Sequence, residues 1–105
     1  MWIFTKQGFV SAVLDKTNPS VMMVRARERT HLTELFPDRA VVELTPADYP
    51  YRVFLPKGRF IEWIATQAER IDYPDFKSAI PEGPISDRYH QACHDVWAVM
   101  HDLQK

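Results

Sequence analysis

The stretch VMMVRARER, at residues 21–29, constrains the fold more than any other part of the chain. Successive side chains of a strand point to opposite faces of the sheet. One face of this stretch would carry Met22, Val24 and Ala26, and the other would carry Met23, Arg25 and Arg27. Such a strand, apolar on one side and basic on the other, predicts a sheet that is covered on one face only.

Four more strands are predicted around this one. Residues 2–4, 9–15, 40–44 and 51–55 are rich in the β-branched and aromatic side chains that favour strands. The loop KTNPS has the Asn-Pro chemistry of a turn and leads directly into the basic strand. We therefore expect residues 9–15 and the basic strand to form an antiparallel hairpin.

Three helices are predicted. Thr30 is a suitable N-cap for a short helix, HLTELF, and Pro37 would end that helix. Residues 59–71 form the clearest helix, and Ser86 would cap a last helix that runs to about Leu103. One helical turn is predicted at residues 45–48. The apolar stripe of the clearest helix has the helical period and consists of Phe60, Ile61, Ile64, Ala68 and Ile71.

The order of these elements predicts an α+β fold with a small, mostly antiparallel sheet and an added C-terminal helix. The run strand-helix-strand-strand-helix is most of a split βαβ unit, and the N-terminal hairpin would supply the missing strand. We therefore predict one permuted ferredoxin-like domain over residues 1–105, with both long helices on the face that carries Val24. The expected strand order, by first residues, is 2, 9, 21, 51, 40. The predicted core contains Leu14, Val24, Val53, Phe60, Ile64 and Ile71.

Composition excludes several classes of protein. The formal net charge is -1, so no overall field attracts nucleic acid or an acidic membrane. A single cysteine, Cys93, excludes an internal disulfide. No apolar run approaches the ~18 residues of a membrane helix, and the N-terminal run is too short for a signal peptide. We expect a cytoplasmic protein that binds no membrane and carries no cofactor.

The basic sheet face is the candidate binding surface. The predicted partner-binding residues are Phe9, Met23, Arg25, Arg27, Arg52 and Phe54, and the same face would also carry Ser11, Val13, Val41 and Glu43. These arginines could bind an acidic protein partner, and the chain would then be a non-enzymatic interaction or regulatory domain. Aromatic and arginine side chains on one sheet face could also bind single-stranded nucleic acid. In a purely structural alternative, the arginines pair with Asp15, Glu28 and Glu43. A homodimer is also compatible with the sequence.

The last predicted helix carries three histidines, which fall within about 40° of one another around the helix axis. Of these, His90 and His94 have the i, i+4 spacing of a metal-binding pair, although no glutamate follows His90 as in the zinc-protease helix. They are weak candidates, and no metal site is predicted. No nucleophile elbow or phosphate-binding loop occurs in the sequence. A small hydrolase or metal-dependent enzyme that uses this helix is the second alternative, and an enzyme is less expected than a binding protein.

Several short sequence motifs occur together, in the order found in a known group of sequences. They are MWIFTKQGFVS at the start, VRAR at 24–27, DYPYRV at 48–53, IDYPDFK at 71–77 and a late Trp97. Together they resemble a family of short uncharacterised bacterial proteins, usually described as hypothetical. The resemblance covers most of the chain and implies a single bacterial domain, without an activity or a cofactor. This chain has Asp75 where those proteins tend to have asparagine.

Overall fold

The computed structural model describes the backbone of residues 1–104 and the side chains of residues 1–83 and 86–104. The described chain divides into two units, the first being Met1–Asp72 and the second beginning at Tyr73. The first unit contains an open five-stranded antiparallel sheet and two helices. Its elements are β1 (Trp2–Thr5), β2 (Gly8–Leu14), β3 (Val21–Ala26), α1 (Arg29–Leu35), β4 (Val42–Glu43), β5 (Tyr51–Pro56) and α2 (Lys57–Glu69).

The sheet confirms the predicted α+β class and strand order. The order is β1-β2-β3-β5-β4, and every neighbouring pair is antiparallel. A tight turn at residues 6–7 joins β1 to β2, and the Thr5 hydroxyl closes this turn by accepting the backbone N–H of Gly8 at 3.1 Å. The turn between β2 and β3 fixes the register of this hairpin. The alternation of side chains along β3 then determines which residues share each face of the sheet.

The core lies between one sheet face and the helices α1 and α2. Its buried members are Val10, Ala12, Met22, Val24, Ala26, Leu32, Leu35, Phe36, Val53, Leu55 and Phe60. Trp63 of α2 extends this core, since its ring stacks on Phe36 at 4.5 Å and its Nε1 donates to the Leu35 carbonyl at 3.0 Å. The face of β3 that carries Val24 is therefore the buried one, as its alternation predicts.

Two residues of the predicted core are exposed. Leu14 is 45% exposed because it is the last residue of β2 and lies outside the buried cluster. Ile71 is 60% exposed and lies two residues beyond the end of α2, so the helical period that placed it on the apolar stripe no longer applies. Of the remaining stripe, Ile61 is 59% exposed and Ala68 is exposed as well. Trp63 of the same helix packs against the core instead.

The helix boundaries differ from those predicted at several points. The N-cap of α1 is Glu28, so the prediction of Thr30 as N-cap is wrong and this residue lies within the first turn. Residues 45–48 form turns and bends rather than a helical turn. Helix α2 begins at Lys57, directly after β5. Pro56 is the last residue of that strand, because proline has no N–H to donate to a neighbouring strand.

The second unit contains α3 (Pro84–His101) between two short 3-10 turns, Lys77–Ala79 and Asp102–Gln104. Gly83 is the N-cap of α3 and proline occupies the first helical position, where its missing N–H costs nothing, so the prediction of Ser86 as cap is wrong. The side chains of Ile80, Tyr89 and Cys93 are buried. Among the described residues, none of the helices combines the length and apolar character that a membrane span requires.

Candidate functional site

The candidate site is the sheet face that carries the predicted basic residues, here called the arginine face. It contains Arg25, Arg27 and Arg52 with Phe9, Met23 and Phe54. The register sets Arg25 of β3 directly opposite Arg52 of β5, with Ser11 of β2 on the other side of Arg25. The sequence predicted Arg25 and Arg52 on neighbouring strands, and the register confirms this.

Tyr49 organises the arginine face from the segment between β4 and β5. Two guanidinium groups lie over its ring, with the Cζ of Arg25 at 4.5 Å and the Cζ of Arg27 at 4.2 Å from the ring centroid. Its backbone carbonyl also accepts a hydrogen bond from Arg52 Nε at 3.4 Å. The ring is buried, and stacking on an aromatic face attracts and orients a guanidinium. One tyrosine therefore contacts all three arginines.

Only one of the three arginines has a carboxylate partner in the described part of the chain. Arg27 Nη1 donates to Asp48, to the backbone carbonyl at 2.9 Å and to Oδ1 at 3.2 Å. Neither Arg25 nor Arg52 has a carboxylate within 4.0 Å among residues 1–104. The structural alternative, in which the arginines pair with Asp15, Glu28 and Glu43, is therefore wrong. The sequence could not foresee where the loop before β5 would place Asp48.

Neutral acceptors hold the two unpaired arginines in place. Arg25 Nη2 donates to Ser11 Oγ at 2.9 Å, and Arg52 Nη1 donates to Met23 Sδ at 3.3 Å. These contacts orient the guanidinium groups without neutralising their charge. Arg25 Nε is buried and has no hydrogen-bond partner among the described residues, which costs free energy in the unbound protein. Both residues are half-buried, so part of each remains open to a ligand.

The arginine face is less open than predicted. Ser11 and Met23 are buried, because the guanidinium groups of Arg25 and Arg52 lie against their polar atoms. The prediction of a sheet face that is uncovered throughout is therefore wrong at its centre. At the edge, Val42 is the register partner of Arg52 and belongs to this face, whereas Val41 packs against the core. The prediction that Val41 and Glu43 lie on this face is therefore wrong, because the residue between them, Val42, is the one on the arginine face.

Aromatic side chains border the arginines. Phe54 is 38% exposed and Trp2 is 70% exposed, while Phe9 is half-buried. Phe9 stacks on Phe4 with ring centroids 4.6 Å apart and meets the edge of Trp2 at 6.0 Å. The face thus presents a charged centre beside exposed aromatic surface, a combination found at protein and nucleic-acid interfaces alike.

Two histidines of α3, His94 and His101, lie against the Trp97 ring within the second unit, and His90 is exposed. His94 Nδ1 lies 3.0 Å from Lys77 Nζ, and that ammonium also lies 4.5 Å from the centroid of the Trp97 ring. An ammonium has no acceptor, so His94 must accept this hydrogen bond, and the same nitrogen is not free for a metal. No group of three His, Cys, Asp or Glu side chains in the described chain could hold a metal ion. Burial raises the pKa of the Cys93 thiol, which disfavours the thiolate needed by a nucleophile.

The first unit, Met1–Asp72, is thus an α+β arrangement whose sheet carries a basic surface, and one buried tyrosine contacts the three arginines of that surface. No family model, curated protein or solved structure matches the chain. Sequence reasoning missed Asp48 and Tyr49 as members of the site. Their signal was the phrase DYPYR, which places an acidic and an aromatic residue just before an arginine-bearing strand.

Proposed function

We propose that this protein is a non-enzymatic interaction domain that binds an acidic segment of a protein partner at the arginine face. The observation that carries the proposal is the Arg25–Arg52 pair, two arginines that are register partners on neighbouring strands and have no carboxylate partner in the described chain. Like charges directly opposite each other destabilise a sheet. A bound anion would convert this unfavourable arrangement into charge-assisted hydrogen bonds.

Two further features support a protein partner. Tyr49 and Ser11 hold Arg25 in one orientation, which lowers the entropy cost of binding. Exposed apolar surface at Phe54 and Trp2 borders the charged centre, and buried aromatic and arginine side chains are frequent hot spots of protein interfaces. Arginine also combines a planar fork of donors with a long apolar stem.

Binding of single-stranded nucleic acid by the same face is the second candidate. The exposure of Trp2 and Phe54 beside the arginines favours it, because bases stack on aromatic side chains. The net charge of -1 favours the protein partner, since affinity for nucleic acid depends on the number of phosphates neutralised. We also propose that the fold is a permuted ferredoxin-like unit and that the protein acts in the cytoplasm.

A pull-down from the source cell extract tests the proposal, with nuclease added to half of each sample. We expect protein bands that survive nuclease and are lost with the R25Q and R52Q variants. R59Q is the matched control, because Arg59 is an exposed arginine on α2 that already pairs with Glu62 at 3.3 Å. All three variants should melt close to the wild type.

Two results would contradict the proposal. Retention of the same bands by both R25Q and R52Q would show that the partner binds elsewhere. Nucleic acid in the untreated eluate, lost with those variants and kept with R59Q, would favour the second candidate instead.

A further inference from the structure

We infer that the anion recognised by Arg25 and Arg52 is a phosphate monoester dianion on a side chain of the protein partner. This inference rests on the proposed function and makes it more specific. It starts from the charge count of the arginine face. Arg27 is already neutralised by Asp48, whereas Arg25 and Arg52 carry two positive charges that no carboxylate among residues 1–104 compensates.

The charge of the ligand should match those two charges. A phosphorylated side chain carries about -1.5 to -2 at pH 7 and offers three strong acceptor oxygens. A single carboxylate carries one charge and would leave one guanidinium uncompensated. Among the groups that a protein side chain can carry, the phosphate monoester therefore comes closest to compensating both charges of the Arg25–Arg52 pair.

The positions of the two arginines allow both side chains to reach one compact group. Arg25 and Arg52 are direct partners on neighbouring strands, whose backbones lie about 4.8 Å apart. The oxygens of a phosphate spread in several directions from one atom and can accept from two guanidinium forks at once.

The donors of both arginines are only partly used within the protein. Each guanidinium has five N–H groups in a fixed fork. Arg25 donates to Ser11, and Arg52 donates to the carbonyl of Tyr49 and to Met23, so N–H groups remain on both forks. The acceptors inside the protein are all neutral. The site is thus oriented by the fold while its charge is left for the ligand.

Titration of the purified protein with short blocked peptides tests the inference. The peptides are Gly-Ser-Gly with phosphoserine, the same peptide without phosphate, Gly-Glu-Gly and Glu-Gly-Glu. Binding is followed by the shifts of the backbone amide signals of the protein in NMR spectra. We expect the phosphoserine peptide to bind at least about tenfold more tightly than either glutamate peptide, because phosphate forms stronger and more numerous charge-assisted bonds. Its affinity should fall between pH 7.5 and 5.5, since the second pKa of the phosphate is about 6.

The variants locate the site. R25Q and R52Q should each weaken the phosphoserine peptide by about tenfold or more, whereas R59Q should leave its affinity unchanged. R52K keeps the charge but loses the fork, so we expect an intermediate loss. Circular dichroism of each variant shows whether the fold is kept, and R52K provides a conservative test if a glutamine variant does not fold.

The failures of the two proposals can be told apart. Equal or tighter binding of Glu-Gly-Glu, lost with R25Q, would overturn the phosphate inference and leave the acidic-partner proposal standing. Phosphopeptide binding that R59Q weakens as much as R25Q would overturn the inference, because the charge would then act without a defined site. An absence of binding by every peptide would also overturn it, and the pull-down would decide the proposed function independently.

Discussion

Replacing Gly8 with alanine tests how closely α1 packs on the sheet. A Cβ at this position would lie 2.7 Å from the Cβ of His31, where ordinary carbon contacts are about 3.5–4.0 Å. The side chain of His31 cannot move away freely. It is buried on α1 beside the buried Leu32, and its Nδ1 accepts the backbone N–H of Phe9 at 3.2 Å. The alanine must therefore displace the helix by about 1 Å or break this hydrogen bond.

The size of the effect follows from these two contributions. Overpacking a core costs about 1–3 kcal/mol, and the hydrogen bond contributes about 0.5–1.5 kcal/mol. We expect G8A to lower the free energy of unfolding by about 2–4 kcal/mol, a large share of the ~5–15 kcal/mol of a small domain. The Tm should fall by roughly 8 °C or more, given about 4–8 °C per kcal/mol for 60–100 residues.

Urea and thermal denaturation followed by circular dichroism measure this effect. The matched control is G58A on α2, where an added Cβ meets no atom within 4 Å. That variant should gain about 0.4–1 kcal/mol, because alanine restricts the unfolded chain. A G8A protein that melts within a degree or two of the wild type would refute the close packing of α1 against Gly8.

Three further predictions follow from the described contacts. Burial lowers the pKa of His31, so the contribution of the neutral ring to stability is complete above about pH 6.5 and is lost as the pH falls from there towards the pKa in the folded protein. Urea titrations from pH 8 to 5 should show this loss of stability, and the H31Q variant should show a smaller dependence on pH. I64A should lower the free energy of unfolding by about 2 kcal/mol, since Ile64 packs against the core, whereas I61A should change it little, and equal melting temperatures would contradict the helix face. R52L removes a like-charge pair that destabilises the sheet by about 0.2–1 kcal/mol, so its Tm should equal or exceed that of the wild type. A clear loss of stability would contradict the unfavourable pairing.

The sheet could be predicted because its information is local. The alternation of Val24 and Arg25 along β3 separates the buried face from the basic face, and the short loop before β3 leaves only a hairpin with β2. The separate placement of β5 between β3 and β4 followed from the order of helices and strands. The hairpin depends on a period and a connection length, which a single sequence displays directly, whereas the place of β5 depends on the match between the element order and a split βαβ unit.

Helix ends and exposed side chains could not be predicted in the same way. Thr30 and Ser86 have the residue type of an N-cap, but Glu28 and Gly83 take those positions because the preceding strand and loop determine where the first helical turn begins. Ile71 continues the period of α2 in sequence, yet the helix has already ended at Glu69. Periodicity identifies a face, and tertiary context decides how far that face extends.

The partners of the arginines depend on a loop whose path the sequence does not show. The structural alternative offered Asp15, Glu28 and Glu43 as partners of the arginines, but the chain between β4 and β5 brings Asp48 and Tyr49 to the face instead. Residues 45–48 of this segment were predicted to form a helical turn, and they form turns and bends. An ion pair between exposed residues is worth little energy, so its choice of partner is set by the backbone and not by the pair itself.

The Arg25–Arg52 pair carries two costs to the stability of the unbound protein. Opposed like charges weaken a sheet, and a buried Nε without an acceptor adds a further cost. A pair of apolar side chains at these positions would carry neither penalty. Local conflicts of this kind concentrate at functional sites, where the cost in the free protein is recovered on binding. Tyr49 strengthens the argument, because it orients Arg25 without adding negative charge and so preserves the attraction for an anion.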